Sequence, residues 1–306
     1  MREELSRYGW HPVDPPCRPV LFVNPLSGAG RAARAEVAER ASERGIDVIV
    51  LRSRQSLAEL VRGALADGAD ALGVAGGDGS LAVVAAAARD HGLPFVCVPA
   101  GTRNHFAIDV GVDRHDLVGA LDAFTDGVER SIDVAEVNGR LFLNNVSLGI
   151  YGEAVRQPEY RDAKVRTLVD TAIAVLGPSE GLPELNLVDE AGREHRRPAV
   201  VLVSNNPYAL DQPLAPGTRP RLDTGELGIL VLDPPPPSLD PRGTAWRVSR
   251  LEVNAPAPVH AGIDGEAVEL QPPLDFVIRA RALRVRISSR HPGVSPSGRL
   301  PRATSQ

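Results

Sequence analysis

Two short glycine-rich motifs contain the residues best suited to bind a phosphate. They are Gly76 to Ser80 (GGDGS) and Pro99 to Ala107 (PAGTRNHFA). The first follows an apolar run at 71–75 and precedes an alanine-rich run at 81–88 that favours a helix. Glycine lets the backbone approach a ligand, and the amides at a helix N-terminus attract negative charge. Asp78 would then bind the Mg2+ of a nucleotide, because carboxylates are its preferred ligands.

Alternating strands and helices must position these motifs. The pattern predicts strands at 20–23, 47–51, 71–75 and 95–98, and helices at 32–42, 57–66 and 81–88. Ser56 is the expected N-cap of the second helix, with Glu59 in the capping-box position. Such alternation implies a parallel sheet with ligands at the carboxyl ends of its strands. A third motif, Asn24 to Gly28, also falls at such an end, although alone it is equally typical of an ordinary turn.

The second half of the chain changes to a β pattern. Asn138-Gly139 between apolar runs predicts a hairpin, and a helix is expected only around 117–124 and 162–176. Further strands are expected at 184–188, 199–204, 227–232, 248–253, 276–278 and 283–287. The predicted fold class is therefore α/β, with an N-terminal parallel-sheet domain and a second, mostly antiparallel β domain. The expected divisions are an irregular lead-in at 1–18, a nucleotide-binding domain at 19–135, a β-rich substrate domain at 136–288 and a disordered tail at 289–306.

Composition restricts the partners and the compartment. The 306 residues carry a formal net charge of −5, which argues against a nucleic-acid partner because that function requires a basic surface. Cys17 and Cys97 form no disulfide or metal-ligand pattern, so a reducing cytoplasmic compartment is expected. The chain has no apolar run of about 18 residues that would predict a transmembrane segment. Any contact with a membrane is therefore expected to be peripheral.

The motifs together resemble the diacylglycerol kinase catalytic family, which includes bacterial lipid kinases, sphingosine kinases and ceramide kinases. The resemblance spans roughly residues 20–287. The family motifs Asn-Pro-x-Ser-Gly, Gly-Gly-Asp-Gly-Thr, Pro-x-Gly-Thr-x-Asn and Asp-Gly-Glu are matched in order by Asn24 to Gly28, Gly76 to Ser80, Pro99 to Asn104 and Asp264 to Glu266. One such glycine motif also occurs in NAD kinases and phosphofructokinases, but four in order are specific. The resemblance implies an NAD kinase/diacylglycerol kinase-like α/β domain.

The resemblance also implies roles for individual residues. Those expected to bind ATP are Asn24, Pro25, Leu26, Ser27, Gly28, Ser53, Gly77, Asp78, Gly79, Ser80, Thr102 and Asn104. Glu266 would be the general base that takes the proton of the acceptor hydroxyl, and Asp133 would join Asp78 in the network around Mg2+. The alternatives are that Asp78 bonds its own turn and that Glu266 is a solvated hairpin residue.

Some family members hold a structural Mg2+ at an Asp-Gly turn in the β domain. The matching residues here are Asp223, Thr224 and Glu226, with threonine where the family has its ligand aspartate. Three further departures concern the kinase site. Ser80 replaces threonine, Ala82-Val83 replaces asparagine and glutamate, and His105 replaces an aspartate. These changes leave undetermined which molecule accepts the phosphoryl group.

The resemblance implies an ATP-dependent lipid kinase, with diacylglycerol as the leading acceptor. A sphingoid base, another lipid alcohol and an NAD-like acceptor are alternatives. So is a catalytically silent nucleotide- or lipid-binding module, although the presence of Glu266 favours an enzyme. The β-rich second half argues against a phosphofructokinase.

The expected partner is a lipid substrate at a membrane surface, and a homodimer is left open. Arginines near the end of the chain could attract anionic headgroups or simply be solvated. They are Arg279, Arg281, Arg284, Arg286, Arg290, Arg299 and Arg302.

Overall fold

A computed structural model describes residues 2–149, 184–209, 218–233 and 243–299. They divide into two compact units. What we call the parallel unit contains residues up to Ile132, Thr218–Asp223 and the chain from Arg281 onward, and the antiparallel unit contains the rest. The units therefore differ from the expected consecutive domains, because two long strands, Gly127–Val137 and Leu274–Ser288, each contribute residues to both.

The parallel unit alternates strands and helices as expected. Its helices are α1 (Arg2–Arg7), α2 (Arg31–Arg34), α3 (Val37–Ser42), α4 (Leu57–Ala66), α5 (Asp78–Asp90) and α6 (His105–Asp109), with a 3-10 helix at Gly119–Phe124. Its first strands are β1 (His11–Pro12), β2 (Pro19–Val23), β3 (Asp47–Val50), β4 (Ala71–Gly76) and β5 (Phe95–Pro99). With β6 (Gly127–Val137) and the last strand of the chain, Leu274–Ser288, they form a sheet. In that sheet β3, β2, β4 and β5 are neighbours in this order, and each pair is parallel.

Burial explains why continuous apolar runs predict these strands. Every residue of β2, β4 and β5 is buried, as expected for parallel strands covered on both faces. The predicted cap of α4 is confirmed, since the Ser56 side chain accepts a hydrogen bond from the Glu59 backbone at 3.4 Å. The single helix expected at 32–42 is instead interrupted at Glu36, whose φ of 49° is left-handed.

The described residues of the antiparallel unit form short strands. They are β7 (Arg140–Phe142), β8 (Asn145–Gly149), β9 (Asn186–Val188), β10 (Glu194–Arg196), β11 (Val200–Asn205), β12 (Leu227–Leu232), β13 (Gly243–Val248), β14 (Arg250–Val253), β15 (Val259–Ile263), β16 (Glu266–Leu270) and the start of β17 (Leu274–Ser288). Six form an antiparallel sheet in the order β13-β12-β11-β8-β15-β16. Phe142 and Phe276 pack edge to face in the core, with ring centroids 6.5 Å apart. The predicted fold class is confirmed, and the helix expected around 162–176 lies outside the described residues.

The described residues near both ends of the chain, 2–18 and 289–299, are more ordered than the sequence predicts. The expected irregular lead-in contains α1 and Trp10, which is 2% exposed. The Trp10 indole donates to the Gly293 carbonyl oxygen at 2.6 Å, and His291 is also buried. Residues 289–299 therefore differ from the disordered tail that we expected, because the lead-in gives them an aromatic residue to pack against.

Several of the late arginines are paired within their own unit. In the parallel unit, Arg284 and Arg286 each donate to the Glu129 carboxylate at 2.6 Å. In the antiparallel unit, Arg279 donates to Glu136 at 2.9 Å. These side chains are neither simply solvated nor a set of unpaired charges, which weakens the expectation that they attract anionic headgroups. Arg302 lies outside the described residues.

We expect Glu129→Gln to lower the free energy of unfolding by about 3 kcal/mol at pH 7, because it leaves the buried Arg286 without its counter-charge. Burial alone would raise the pKa of Glu129, but the hydrogen bonds from Arg284 and Arg286 outweigh it and lower that pKa. The stabilisation is therefore present above a pH of about 4.3 and lost as the pH falls through the lowered folded-state value. Urea unfolding across this range measures the difference, with exposed Glu39→Gln as control. A pH-independent deficit would contradict the ion-pair explanation.

Candidate functional site

Three loops meet at the carboxyl edge of the parallel sheet. They follow β2, β4 and β5, which are neighbouring strands. Each contributes a glycine at the point of contact. A Cβ atom on Gly28 would overlap the carbonyl oxygen of Ala100, and one on Gly101 would lie 2.6 Å from the Cα of Gly77. The backbones are thus too close for side chains, as expected of a cradle that receives a ligand.

The first loop is shaped by Asn24. Its backbone amide donates to the Ala75 carbonyl oxygen at 2.9 Å, and its side-chain oxygen accepts from the Leu26 amide at 3.1 Å. Pro25 and Ser27 are half-buried in this turn, and Leu26 is 81% exposed at its tip. Gly28 follows with a φ of 55°, a conformation that glycine adopts without strain.

The second loop leads directly into α5, which is 13 residues long. Gly77 is the N-cap and provides no side chain to satisfy the first amides of the helix. Asp78, Gly79 and Ser80 form the first turn and are half-buried. Burial raises the pKa of the Cys97 thiol on β5, and the negative charge of Asp78 raises it further, so the two side chains are close enough to interact electrostatically. The edge therefore offers helix amides and one carboxylate.

The third loop contains Asn104, which is 1% exposed and has a φ of 55°. Its side-chain nitrogen donates to the Gly101 carbonyl oxygen at 2.8 Å, while its oxygen has no hydrogen-bond partner among the described residues. A buried acceptor of this kind can receive a donor from a ligand. Thr102 is exposed in the same loop, and Ser53 is exposed after β3, one strand beyond the three loops.

Sequence reasoning missed Arg31. Its guanidinium donates to the Gly101 carbonyl oxygen at 3.0 Å and to the Arg114 carbonyl oxygen at 2.7 Å. It therefore ties the first loop to the third. The only available signal was a basic residue three positions after Gly28, which alone has no specific meaning.

In the antiparallel unit, Asp264 anchors the turn that carries Glu266. Asp264 and Gly265, with φ values of 48° and 86°, connect β15 to β16. The Asp264 carboxylate accepts backbone amides from Leu143, Asn144 and Asn145 at 2.8, 2.7 and 3.2 Å. The Glu266 side chain is 59% exposed, with the Arg140 guanidinium 3.9 Å away. A solvent-facing carboxylate thus follows a firmly held turn.

Asp133 is fully buried in the same unit. Its carboxylate accepts from the Asn206 side chain at 2.8 Å and from the Gly225 amide at 2.7 Å, and its carbonyl oxygen accepts from Asn205 at 3.2 Å. The two asparagines were also missed, although they stand together at the end of an apolar strand. Their role depends on a contact with a residue more than 70 positions away.

Two of the three expected metal ligands, Asp223 and Thr224, are engaged in other interactions. Asp223 pairs with Arg221 at 2.9 Å. Burial alone would raise the pKa of this carboxyl group, but Arg221 and other nearby arginines outweigh it and lower that pKa. The Thr224 hydroxyl accepts from Asn206 at 2.8 Å and from the Glu226 amide at 3.3 Å. Within the described ranges, no group of three or more histidines, cysteines, aspartates or glutamates is arranged to hold a metal. The donor set at Asp223, Thr224 and Glu226 does not fit a structural Mg2+.

The chain is similar in sequence to proteins of a known family. The family model for the diacylglycerol kinase catalytic domain matches residues 18–137. A protein named "Probable lipid kinase YegS-like" from Pseudomonas aeruginosa is 29% identical over 298 residues, which cover 89% of this chain and 95% of that protein. A diacylglycerol kinase of Bacillus subtilis is 33% identical over 118 residues, or 38% of each chain.

A solved structure matches most of the chain. The crystal structure of a diacylglycerol kinase from Bacillus anthracis superposes with a TM-score of 0.62 at 16% identity, covering 90% of this chain and 98% of that one. At this identity the likeness establishes the fold. Of the helices in the described residues, none has the length and hydropathy that a bilayer crossing requires.

Proposed function

Because the chain belongs to the diacylglycerol kinase catalytic-domain family, we propose that it is a lipid kinase that transfers the γ-phosphoryl group of ATP to a lipid hydroxyl. The observation that carries the proposal is the meeting of three glycine loops and an uncapped helix N-terminus at one sheet edge. Diacylglycerol is the leading acceptor, and the reaction takes place at a membrane surface.

The residues at this edge fit a nucleotide. The backbone of Gly28, Gly77 and Gly101 would approach the phosphates, and the first amides of α5 would donate to them. Asn24 shapes the first loop, and the buried Asn104 oxygen is an available acceptor. ATP supplies the phosphoryl group when bound, with Mg2+ to neutralise its charge. Asp78 is the carboxylate placed to hold that cation.

Glu266 is the proposed general base. Its carboxylate faces solvent, where a hydroxyl group can reach it, and Asp264 fixes the turn from which it projects. A base must lie within hydrogen-bond distance of the proton that it removes, so a fixed turn favours the role. The buried Asp133 would act through its hydrogen bonds and not by touching the substrate.

Gly101→Ala should weaken ATP binding by about tenfold or more, equivalent to about 1.4 kcal/mol. The added methyl group would meet the Gly77 backbone and displace the start of α5. Gly63→Ala is the matched control, since a Cβ atom there meets nothing within 4 Å and the site lies inside α4. Isothermal titration with a non-hydrolysable ATP analogue measures both. Equal affinities of the two variants for the ATP analogue would contradict the proposal that these glycine loops bind the phosphates.

The acceptor is tested by incubating the protein with labelled ATP and a total lipid extract, then identifying the phosphorylated product by mass. Vesicles containing diacylglycerol, ceramide or a sphingoid base, and solutions of NAD or fructose 6-phosphate, are then compared. We expect phosphatidic acid from the diacylglycerol vesicles. Phosphorylation of a soluble acceptor alone would refute the lipid assignment, and nucleotide binding without any product would favour a silent module.

A further inference from the structure

The side-chain amide of Asn206 connects Asp133 to the loop at 224–226. Its nitrogen lies 2.8 Å from an Asp133 carboxylate oxygen and 2.8 Å from the Thr224 hydroxyl. The same Asp133 oxygen accepts the Gly225 amide at 2.7 Å. Asp133 and Asn206 are both fully buried. The neutral NH2 group of Asn206 thus lies between the Asp133 carboxylate and the Thr224 hydroxyl, two oxygens that could otherwise bind a cation.

The conformation of Asn206 indicates that this contact is specific. Its φ of 67° is left-handed, a region that glycine prefers and asparagine tolerates. Its side-chain oxygen has no hydrogen-bond partner among the described residues. Reversing the amide would place that oxygen against the Asp133 carboxylate, so the two acceptors determine the orientation. The two hydrogen bonds offset a strained backbone and an unsatisfied oxygen at one residue.

A divalent cation at this position would need several oxygen ligands, preferably carboxylates. Beside the Asp133 carboxylate, the loop presents the Thr224 hydroxyl in place of a second carboxylate, and the neighbouring Asp223 is paired with Arg221. We propose that the Asn206 amide takes the place of a divalent cation and holds the 224–226 loop to Asp133. The fold of the antiparallel unit therefore needs no metal at this turn. This inference does not depend on the identity of the acceptor.

Thermal unfolding without nucleotide tests the proposal, in EDTA and in millimolar Mg2+ or Ca2+. The wild-type Tm should change by no more than about 1 °C between these conditions. Asn206→Asp places two carboxylates side by side, so its Tm should fall by about 5 °C or more in EDTA. Either cation should restore it, because a ligand that binds only the folded state stabilises it. Asn206→Gly suits the backbone and removes the amide, so its lower Tm should not respond to cations.

Two outcomes would overturn the proposal. One is a wild-type Tm that rises with Mg2+ and loses this response in Asp133→Asn, and the other is a folded Asn206→Asp protein that does not respond to cations. If Asn206→Asp does not fold, calorimetric titration of Mg2+ and Ca2+ into Asp78→Asn decides, since this variant lacks the carboxylate expected at the nucleotide. The same titration is repeated with the double variant Asp78→Asn/Asp133→Asn. Binding heat that is present in Asp78→Asn and absent from the double variant would refute the proposal. No binding heat in either variant supports it.

Discussion

Replacing Asp78 with asparagine is expected to lower the rate of phosphoryl transfer by about 1,000-fold while the protein stays folded. Asp78 lies in the first turn of α5, directly after the glycine that packs against Gly101. In the proposed function its carboxylate holds the cation that neutralises the phosphates. Asparagine keeps the size and the helix position but removes the charge, so the loss should fall on catalysis.

Asp90→Asn is the matched control for this prediction. Asp90 ends the same helix, is exposed and pairs with Arg89 at 2.8 Å. Turnover is measured on the acceptor identified by mass, and circular dichroism and Tm establish that both variants fold. Near wild-type turnover in Asp78→Asn would remove Asp78 from the catalytic site. A similar loss of turnover in Asp90→Asn would indicate that both substitutions act by disturbing helix α5 and not by removing a catalytic carboxylate.

Much of the parallel unit could be predicted because its signals are local. Buried strands appear as continuous apolar runs, and glycine loops at their ends must share one edge of a parallel sheet. The convergence of Gly28, Gly77 and Gly101 follows from that topology. Arg31 could not be predicted in the same way, because its partners lie 70 and 83 residues away.

Contacts between residues far apart in the sequence also explain where the structure differs from the prediction. Trp10 orders the C-terminal segment through a contact with Gly293, which no window of adjacent residues can reveal. A proline-containing lead-in and a polar tail each look irregular alone. The sequence did show threonine in place of an aspartate at 224, but the compensating Asn206 lies 18 residues away and only its contacts reveal its role.

Replacing Glu266 with glutamine should lower turnover by about 100-fold or more, with ATP affinity little changed. Glutamine preserves the size and polarity of a side chain that projects from a turn held by Asp264, so the backbone around it should not move. The glutamine side chain cannot remove the proton from the hydroxyl group of the lipid. The expected loss is therefore in kcat, whereas a residue that only binds substrate would change KM.

Glu269→Gln provides the control for Glu266, because Glu269 is another exposed glutamate on β16 and lies opposite His260 in the register of the β15–β16 hairpin. Steady-state kinetics with the identified lipid acceptor, and titration of each variant with an ATP analogue, separate chemistry from binding. We expect Glu269→Gln to retain wild-type turnover. Equal losses of nucleotide affinity and turnover in Glu266→Gln would make Glu266 a binding or folding residue.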